Sequence, residues 1–205
     1  VDAQLGKLTE TMQDLFALAK PVEAGGTDVD LAEAADSALA QLAGLVDTSR
    51  CRVRRRYDDG VPAVRGDGHR LEHAMLNVLM NAVEAMDARG SLEVRVVARD
   101  GGAVFEVADT GPGIAEEEIE RVVLPFYSTK PQGTGLGLPL VARVTAAHRG
   151  TLDIRSAPGE GTTVTLAFPA APGRAEEEGA GEQEAGERSG DRVVEREGPW
   201  PARAS

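Results

Sequence analysis

Aromatic side chains make up only 3% of the 205 residues, although hydrophobic residues reach 41%. A core of stacked rings is thereby excluded, and the interior has to be assembled from Val, Leu, Ala and Ile, which suits an aliphatic α/β layered unit. Cysteine occurs once, as Cys51, which excludes an internal disulfide and a paired-cysteine metal site and fits a reducing compartment. Basic residues are few, 22 against 34 acidic ones, for a net charge of -12. A nucleic-acid partner, which needs a basic face, is not expected, and an anionic ligand has to be met by locally placed donors. No apolar run reaches the roughly 18 residues that span a bilayer, and no signal-peptide pattern is present. The expectation is a soluble, cytoplasmic piece that starts at Val1 rather than Met, with any membrane anchor of a parent protein lying upstream. The length allows one domain with flanking segments.

What is present divides the chain into four parts. In residues 1–20, Leu5, Leu8, Met12, Leu15 and Ala19 alternate three and four apart, the seam of a coiled-coil-like association helix that Pro21 ends. A surface helix packed on its own domain is the alternative. Residues 21–30 (PVEAGGTDVD) read as a hinge. Residues 31–170 are the globular unit. Its predicted elements are a helix over 31–46, strands over 51–57 and 61–65 around an Asp58-Asp59-Gly60 turn, and a helix over 68–86. Strands over 92–98 and 103–108 follow, joined by Asp100-Gly101-Gly102, a hairpin signal. An irregular stretch over 109–133, a helix ending near His148, and strands over 151–156 and 162–168 complete it. This predicts a two-layer sandwich, a mixed sheet carrying three helices on one face. Residues 171–205 are an acidic tail, rich in Glu, Gly, Ala and Arg from Arg174 onward and expected to be disordered.

Three constellations carry chemistry. On the second helix, Asn77, Asn81 and Glu84 form a polar stripe opposite Leu71, Met75, Val78, Leu79, Ala82 and Met86. Two asparagines one turn apart are poor helix formers, so a ligand role competes with mere surface decoration. An amide oxygen is a hard ligand suited to Mg²⁺. Next, Asp109-Thr110-Gly111-Pro112-Gly113-Ile114 starts where a strand ends, placing a carboxylate at the sheet rim. There it can accept from an exocyclic amino group such as that of adenine, with the glycines allowing close backbone approach. The same residues also make an ordinary turn. Finally, Gly133-Thr134-Gly135-Leu136-Gly137-Leu138 opens a helix with Pro139 in its first turn, where free N–H groups suit phosphate. Neither GxxxxGK[ST] nor a Rossmann GxGxxG is present, since Leu138 stands where the latter needs glycine. Lys130 offers a positive charge near this loop, though a lone lysine is also commonly just solvated.

The fixed order of the three makes a specific resemblance. LNVLMNAVEA resembles the N box, DTGPGI the G1 box, PFYSTK the F box and GTGLGL the G2 box of histidine kinases in the GHKL ATP-binding superfamily, over residues 29–169. The resemblance implies a Bergerat-type fold that binds ATP and Mg²⁺. It implies that Asn81 holds the metal, Asn77 supports the phosphates and Asp109 reads the adenine amino group. Gly111, Gly113 and Ile114 would shape the adenine pocket, and Thr162 would join its hydrogen bonding unless it is an ordinary strand residue. Residues 114–133 would be the ATP lid, with Phe126 packed inside it and Lys130 reaching the phosphates beside Gly133, Thr134, Gly135, Leu136, Gly137 and Leu138.

Departures from related patterns bear on mechanism. Water-splitting relatives place a glutamate where Asn77 stands; an amide cannot take a proton from water, so transfer to another protein group is favoured over hydrolysis. Where many histidine kinases carry a basic residue, this chain carries Glu84, as in the nitrogen-regulation-like branch. None of the three histidines, His69, His73 and His148, has the setting of a phosphoacceptor. The implied acceptor lies upstream, on the first helix of a dimerisation hairpin whose second helix residues 1–20 resemble. Implied partners are that hairpin, a second kinase copy in a homodimer, and the receiver domain of a response regulator. The rivals are a regulatory or serine-directed anti-sigma-type ATP module and a chaperone- or topoisomerase-type hydrolase.

Overall fold

The computed structural model describes residues 26–130 and 133–172. The seam helix of residues 1–20, most of the hinge and the tail beyond 172 lie outside the described residues. The order of elements is β1 (Thr27–Val29), α1 (Leu31–Leu45), β2 (Cys51–Tyr57), β3 (Val64–Gly66), α2 (Gly68–Ala85), β4 (Gly90–Arg99), β5 (Gly102–Asp109), α3 (Glu116–Ile119), α4 (Gly137–Ala147), β6 (Thr151–Ala157) and β7 (Gly161–Pro169).

The helices start where side chains cap them and bury one stripe each. Asp30 accepts from the Ala32 and Glu33 N–H groups at 2.8 and 3.4 Å to open α1, whose Ala34, Ala35, Ala38, Leu39 and Leu42 are buried. Asp67 accepts from the Arg70 N–H at 3.2 Å to open α2, which buries Leu71, Ala74, Met75, Val78, Leu79, Ala82 and Val83. These fill a core that leaves Asn77 and Asn81 half-buried on the other side. The helix α2 touches both α1 and α4.

Five strands form the sheet β2-β4-β5-β7-β6, with β2 parallel to β4 and the other pairs antiparallel. Period-two alternation decides its faces: Leu92, Val94 and Val96 are buried under the helices, while Glu93 and Arg95 lie on the open face. There Arg95 bridges Glu93 and Glu106 at 2.6 and 3.2 Å. The β4–β5 hairpin turns at Asp100 and Gly101, both at positive φ (52° and 74°), the combination a two-residue primed turn demands.

Three expectations require correction. The hinge does not extend to residue 30, because Thr27–Val29 pairs antiparallel with Val64–Gly66 as a separate two-stranded ribbon. The strand expected over 61–65 is instead Val64–Gly66 and belongs to that ribbon, while β2 runs parallel to β4, reached through α2. The globular unit also extends past 170, since Ala171 is buried and its N–H donates to the Ala63 carbonyl at 2.7 Å. His148 closes α4 as a packing and capping residue. Its side chain is 6% exposed, it donates through Nδ1 to the Val144 carbonyl at 2.7 Å, and it accepts the Asp67 N–H on Nε2 at 3.0 Å. The backbone N–H can only donate, which sets the tautomer.

Candidate functional site

The end of β5, the amide face of α2 and the glycine-rich start of α4 converge. At the amide face, Asn77 donates through Nδ2 to the His73 carbonyl at 3.0 Å, which orients its Oδ1. A Cβ on Gly137 would lie 2.9 Å from that Oδ1 and 3.5 Å from Asn81 Nδ2. Only glycine lets the first residue of α4 approach the amide pair so closely. No side chain caps α4, and with Pro139 in its first turn the Gly137 and Leu138 N–H groups point out of the helix start. The side chain of Leu136 is buried, so its backbone alone faces the loop.

The fit to Mg²⁺ follows from this donor set. Among the described residues no three His, Cys, Asp or Glu side chains gather into a metal-holding cluster. One hard amide oxygen beside uncapped N–H groups at a helix start matches an ion that keeps waters and takes phosphate oxygens as further ligands.

Asp109 stands opposite, half-buried, and accepts from the Gly111 N–H at 2.8 Å and from the Thr162 backbone. Burial raises its pKa above the ordinary carboxyl value, against the two backbone donors and the Lys130 charge, which pull it down. Two glycines set the surrounding backbone. Gly113 sits at φ 72° with the Ala157 carbonyl where a Cβ would be, and Gly161 sits at φ 84° against the Asp109 carbonyl. Thr162 is the register partner of Asp109, and its hydroxyl meets Ser156 Oγ at 2.9 Å. Ser156 also accepts the Ile114 N–H at 2.8 Å, holding the first residue of the predicted lid. Sequence reasoning missed Ser156. The signal for it was a hydroxyl pair placed opposite each other across the β6–β7 turn, legible only once the register is known.

The lid segment carries one short helix, α3, and a local cluster in which Tyr127 donates to Glu118 Oε1 at 3.1 Å and Arg121 lies 4.4 Å over the Tyr127 ring. Lys130 Nζ bonds Glu84 Oε2 at 2.7 Å and reaches the Asn81 carbonyl at 3.5 Å, tying the lid to α2. Phe126 does not pack inside the lid. Its N–H bonds the Gly135 carbonyl at 2.9 Å, its φ is 66°, and the ring stands 72% exposed. For a bulky residue that backbone costs on the order of 1–3 kcal/mol. Gly133, Thr134 and Gly135 lie between this lid and α4. Asn77, Asn81, Gly137 and Lys130 thus gather at the polar face of α2, and Asp109, Gly111, Gly113, Ile114 and Thr162 at the rim of β5 and β7, while the Leu136 side chain is buried and Phe126 turns outward.

Residues 66–172 match the model of the family described as histidine kinase-, DNA gyrase B-, and HSP90-like ATPase. The chain belongs to that family. Among its relatives, the sensor histidine kinase ZraS of Escherichia coli (strain K12) is 30% identical over 163 residues, 80% of this chain and 35% of ZraS. Among solved structures, full-length ShkA in complex with AMPPNP superposes with a TM-score of 0.71 at 28% identity, covering 82% of this chain and 38% of that one. A mycobacterial sensor histidine kinase, MprB, superposes at 0.63 with 30% identity, covering 72% of this chain and 99% of that chain. The globular unit is thus an ATP-binding domain of the histidine kinase type, and the chain spans about a third of the curated relatives' length. Among the described residues no helix is long and apolar enough to cross a membrane.

Proposed function

We propose that this domain binds Mg²⁺-ATP and serves as the catalytic part of a sensor histidine kinase, passing the γ-phosphate to a histidine on a dimerisation hairpin outside the described residues. From there the phosphate would move to an aspartate on a response-regulator receiver, with two kinase copies forming a homodimer. The observation that carries this reading is the approach of the uncapped, glycine-rich start of α4 to the Asn77–Asn81 amide pair, with the half-buried Asp109 carboxylate beyond it. It sets an acceptor for a base apart from donors for a phosphate chain, which is the polarity of a nucleotide.

The roles follow from chemistry. Asn81 supplies the hard oxygen for Mg²⁺, and when bound that ion neutralises and orients the phosphates. Asn77 supports the phosphates, held by its bond to the His73 carbonyl. Lys130 brings a cation to the same edge, and the backbone from Gly133 to Leu138 supplies N–H donors. Asp109 accepts from the adenine amino group, with Gly111, Gly113 and Ile114 shaping the pocket around the base. Asn77 cannot remove a proton from water, so the bound phosphate is kept for a protein acceptor rather than hydrolysed.

The test is Mg²⁺-dependent binding of a fluorescent ATP analogue to the full chain and to Asn81→Ala, followed by addition of a separately made hairpin bearing its histidine. Binding that needs Mg²⁺, weakens at least tenfold in Asn81→Ala, and leads to acid-labile phosphate on the hairpin supports the proposal. Absence of nucleotide binding by the parent chain would overturn it.

A further inference from the structure

Ser156 and Thr162 face each other across β6 and β7, and Asp109 faces Thr162 across β5 and β7. Leu92, the register partner of Asp109 on its other side, is buried under the helices. The row Asp109, Thr162, Ser156 therefore lies on the helix-covered side of the sheet, at its rim. Three hydrogen bonds converge on the Ser156 hydroxyl. It bonds the Gly161 carbonyl at 2.8 Å, the Ile114 N–H at 2.8 Å and Thr162 Oγ1 at 2.9 Å.

A serine hydroxyl has one proton to donate and two lone pairs that accept. A carbonyl can only accept, so the Ser156 proton goes to Gly161. The Ile114 N–H can only donate, so it occupies one lone pair. The contact with Thr162 must then use the other lone pair, with Thr162 as the donor. The Thr162 proton is consumed in this bond, and toward the pocket Thr162 presents lone pairs alone. An ionised Asp109 is likewise an acceptor without a proton. Two adjacent side chains at the pocket edge are thereby restricted to accepting.

We infer that Ser156 is a positioning residue for base selection: by committing the Thr162 proton, it makes the Asp109–Thr162 edge accept only, so that a 6-amino purine is taken and a 6-oxo purine refused. The inference rests on the reading of Asp109 as the base contact. An amino group offers two N–H donors to such an edge, whereas a 6-oxo group brings a third acceptor against two. Freed from Ser156, the Thr162 hydroxyl can rotate and donate to that oxo group. The hydroxyl of Ser156 also holds Ile114, so the base edge and the root of the lid share one anchor.

The experiment compares ATP with ITP, its 6-oxo counterpart, by calorimetric titration of the full chain and of Ser156→Ala. In the parent chain ATP binds more tightly than ITP. In Ser156→Ala the ratio of the two dissociation constants narrows about three- to tenfold, the worth of one redirected hydrogen bond. An unchanged ratio in Ser156→Ala overturns the inference, and so does an equal loss of affinity for both nucleotides, the mark of a purely structural strut. If Ser156→Ala loses its fold by circular dichroism, Ser156→Cys carries the same comparison, since a thiol fills the space but bonds weakly. If the parent chain binds neither nucleotide, the site reading itself fails; if it binds ATP and ITP equally, only the present inference fails.

Discussion

Replacing Asp109 by asparagine should move stability and binding in opposite directions. Burial raises the Asp109 pKa in the folded chain, so the folded state binds this proton more readily than the unfolded one does. The contribution of the group to stability is then fully present below the unfolded carboxyl pKa and is lost as pH rises through the folded value. At pH 7 the ionised carboxylate is a cost carried by the fold. Asparagine removes that charge while its Oδ1 still accepts the Gly111 N–H, now at 2.8 Å from Asp109. The apo protein should therefore resist urea better at pH 7 than the parent, and the advantage should vanish in acid below the unfolded carboxyl pKa. Nucleotide binding should suffer. The new amide N–H₂ faces the adenine amino group, donor against donor, and an unmet buried polar group costs about 1–3 kcal/mol, or roughly 5- to 150-fold in affinity. For the same reason the parent's ATP affinity should fall as pH drops through the raised pKa, while that of Asp109→Asn stays flat. Urea unfolding at two pH values and titration with an ATP analogue decide the matter. A variant less stable at pH 7 would mean that the carboxylate is a turn brace, and affinity preserved within twofold would mean that it does not read the base.

Two further outcomes follow from single contacts. The Lys130–Glu84 pair, at 2.7 Å, is more than a third exposed on both sides, so its coupling in a double-mutant cycle with Glu84→Gln and Lys130→Gln should not exceed about 1 kcal/mol in urea unfolding and should fade in about 1 M salt; a larger, salt-insensitive coupling would show a desolvated pair. His148→Ala should destabilise the fold by about 2–4 kcal/mol, since it opens a cavity and leaves the Asp67 N–H without its acceptor at the start of α2. A loss below about 1 kcal/mol in the same unfolding assay would contradict that linkage between α2 and α4.

The parts of this fold that were legible in the sequence are those governed by local periodicity. The strand Cys51–Tyr57 and the helix starts at Leu31 and Gly68 coincide with their predicted positions, because alternation and capping residues are written within a few neighbours. The hairpin was readable from Asp100-Gly101-Gly102, residue types that tolerate the positive φ a primed turn needs, which Asp100 and Gly101 adopt. Pairings between distant segments were not readable. A three-residue strand at Thr27–Val29 has no period to detect and exists because Val64–Gly66 accepts it. Ser156 gained significance only from its register opposite Thr162. Phe126 failed differently: an aromatic residue in a weakly aromatic chain invites burial, but the bond from its N–H to Gly135 turns the ring outward.

Asn77 is where sequence and geometry combine into one further expectation. If the missing proton acceptor is what restrains hydrolysis, supplying one should release it. Asn77 Oδ1 already points toward the start of α4, where Gly137 has no Cβ to obstruct a longer side chain. In Asn77→Glu a carboxylate can extend past the amide position toward the start of α4, the proposed phosphate end of the site, where it can take a proton from an attacking water. A positioned general base contributes about 10²–10⁴-fold in rate, and imperfect placement still leaves an increase of at least about tenfold over the parent. Asn77→Gln has the same length and shape without the base, so it separates chemistry from sterics. Phosphate release from ATP, measured without any hairpin present, should rise in Asn77→Glu and not in Asn77→Gln. Equal rates in the two variants would show that no water stands in line with the γ-phosphate, and restraint of hydrolysis would then have to be assigned to exclusion of water rather than to the want of a base.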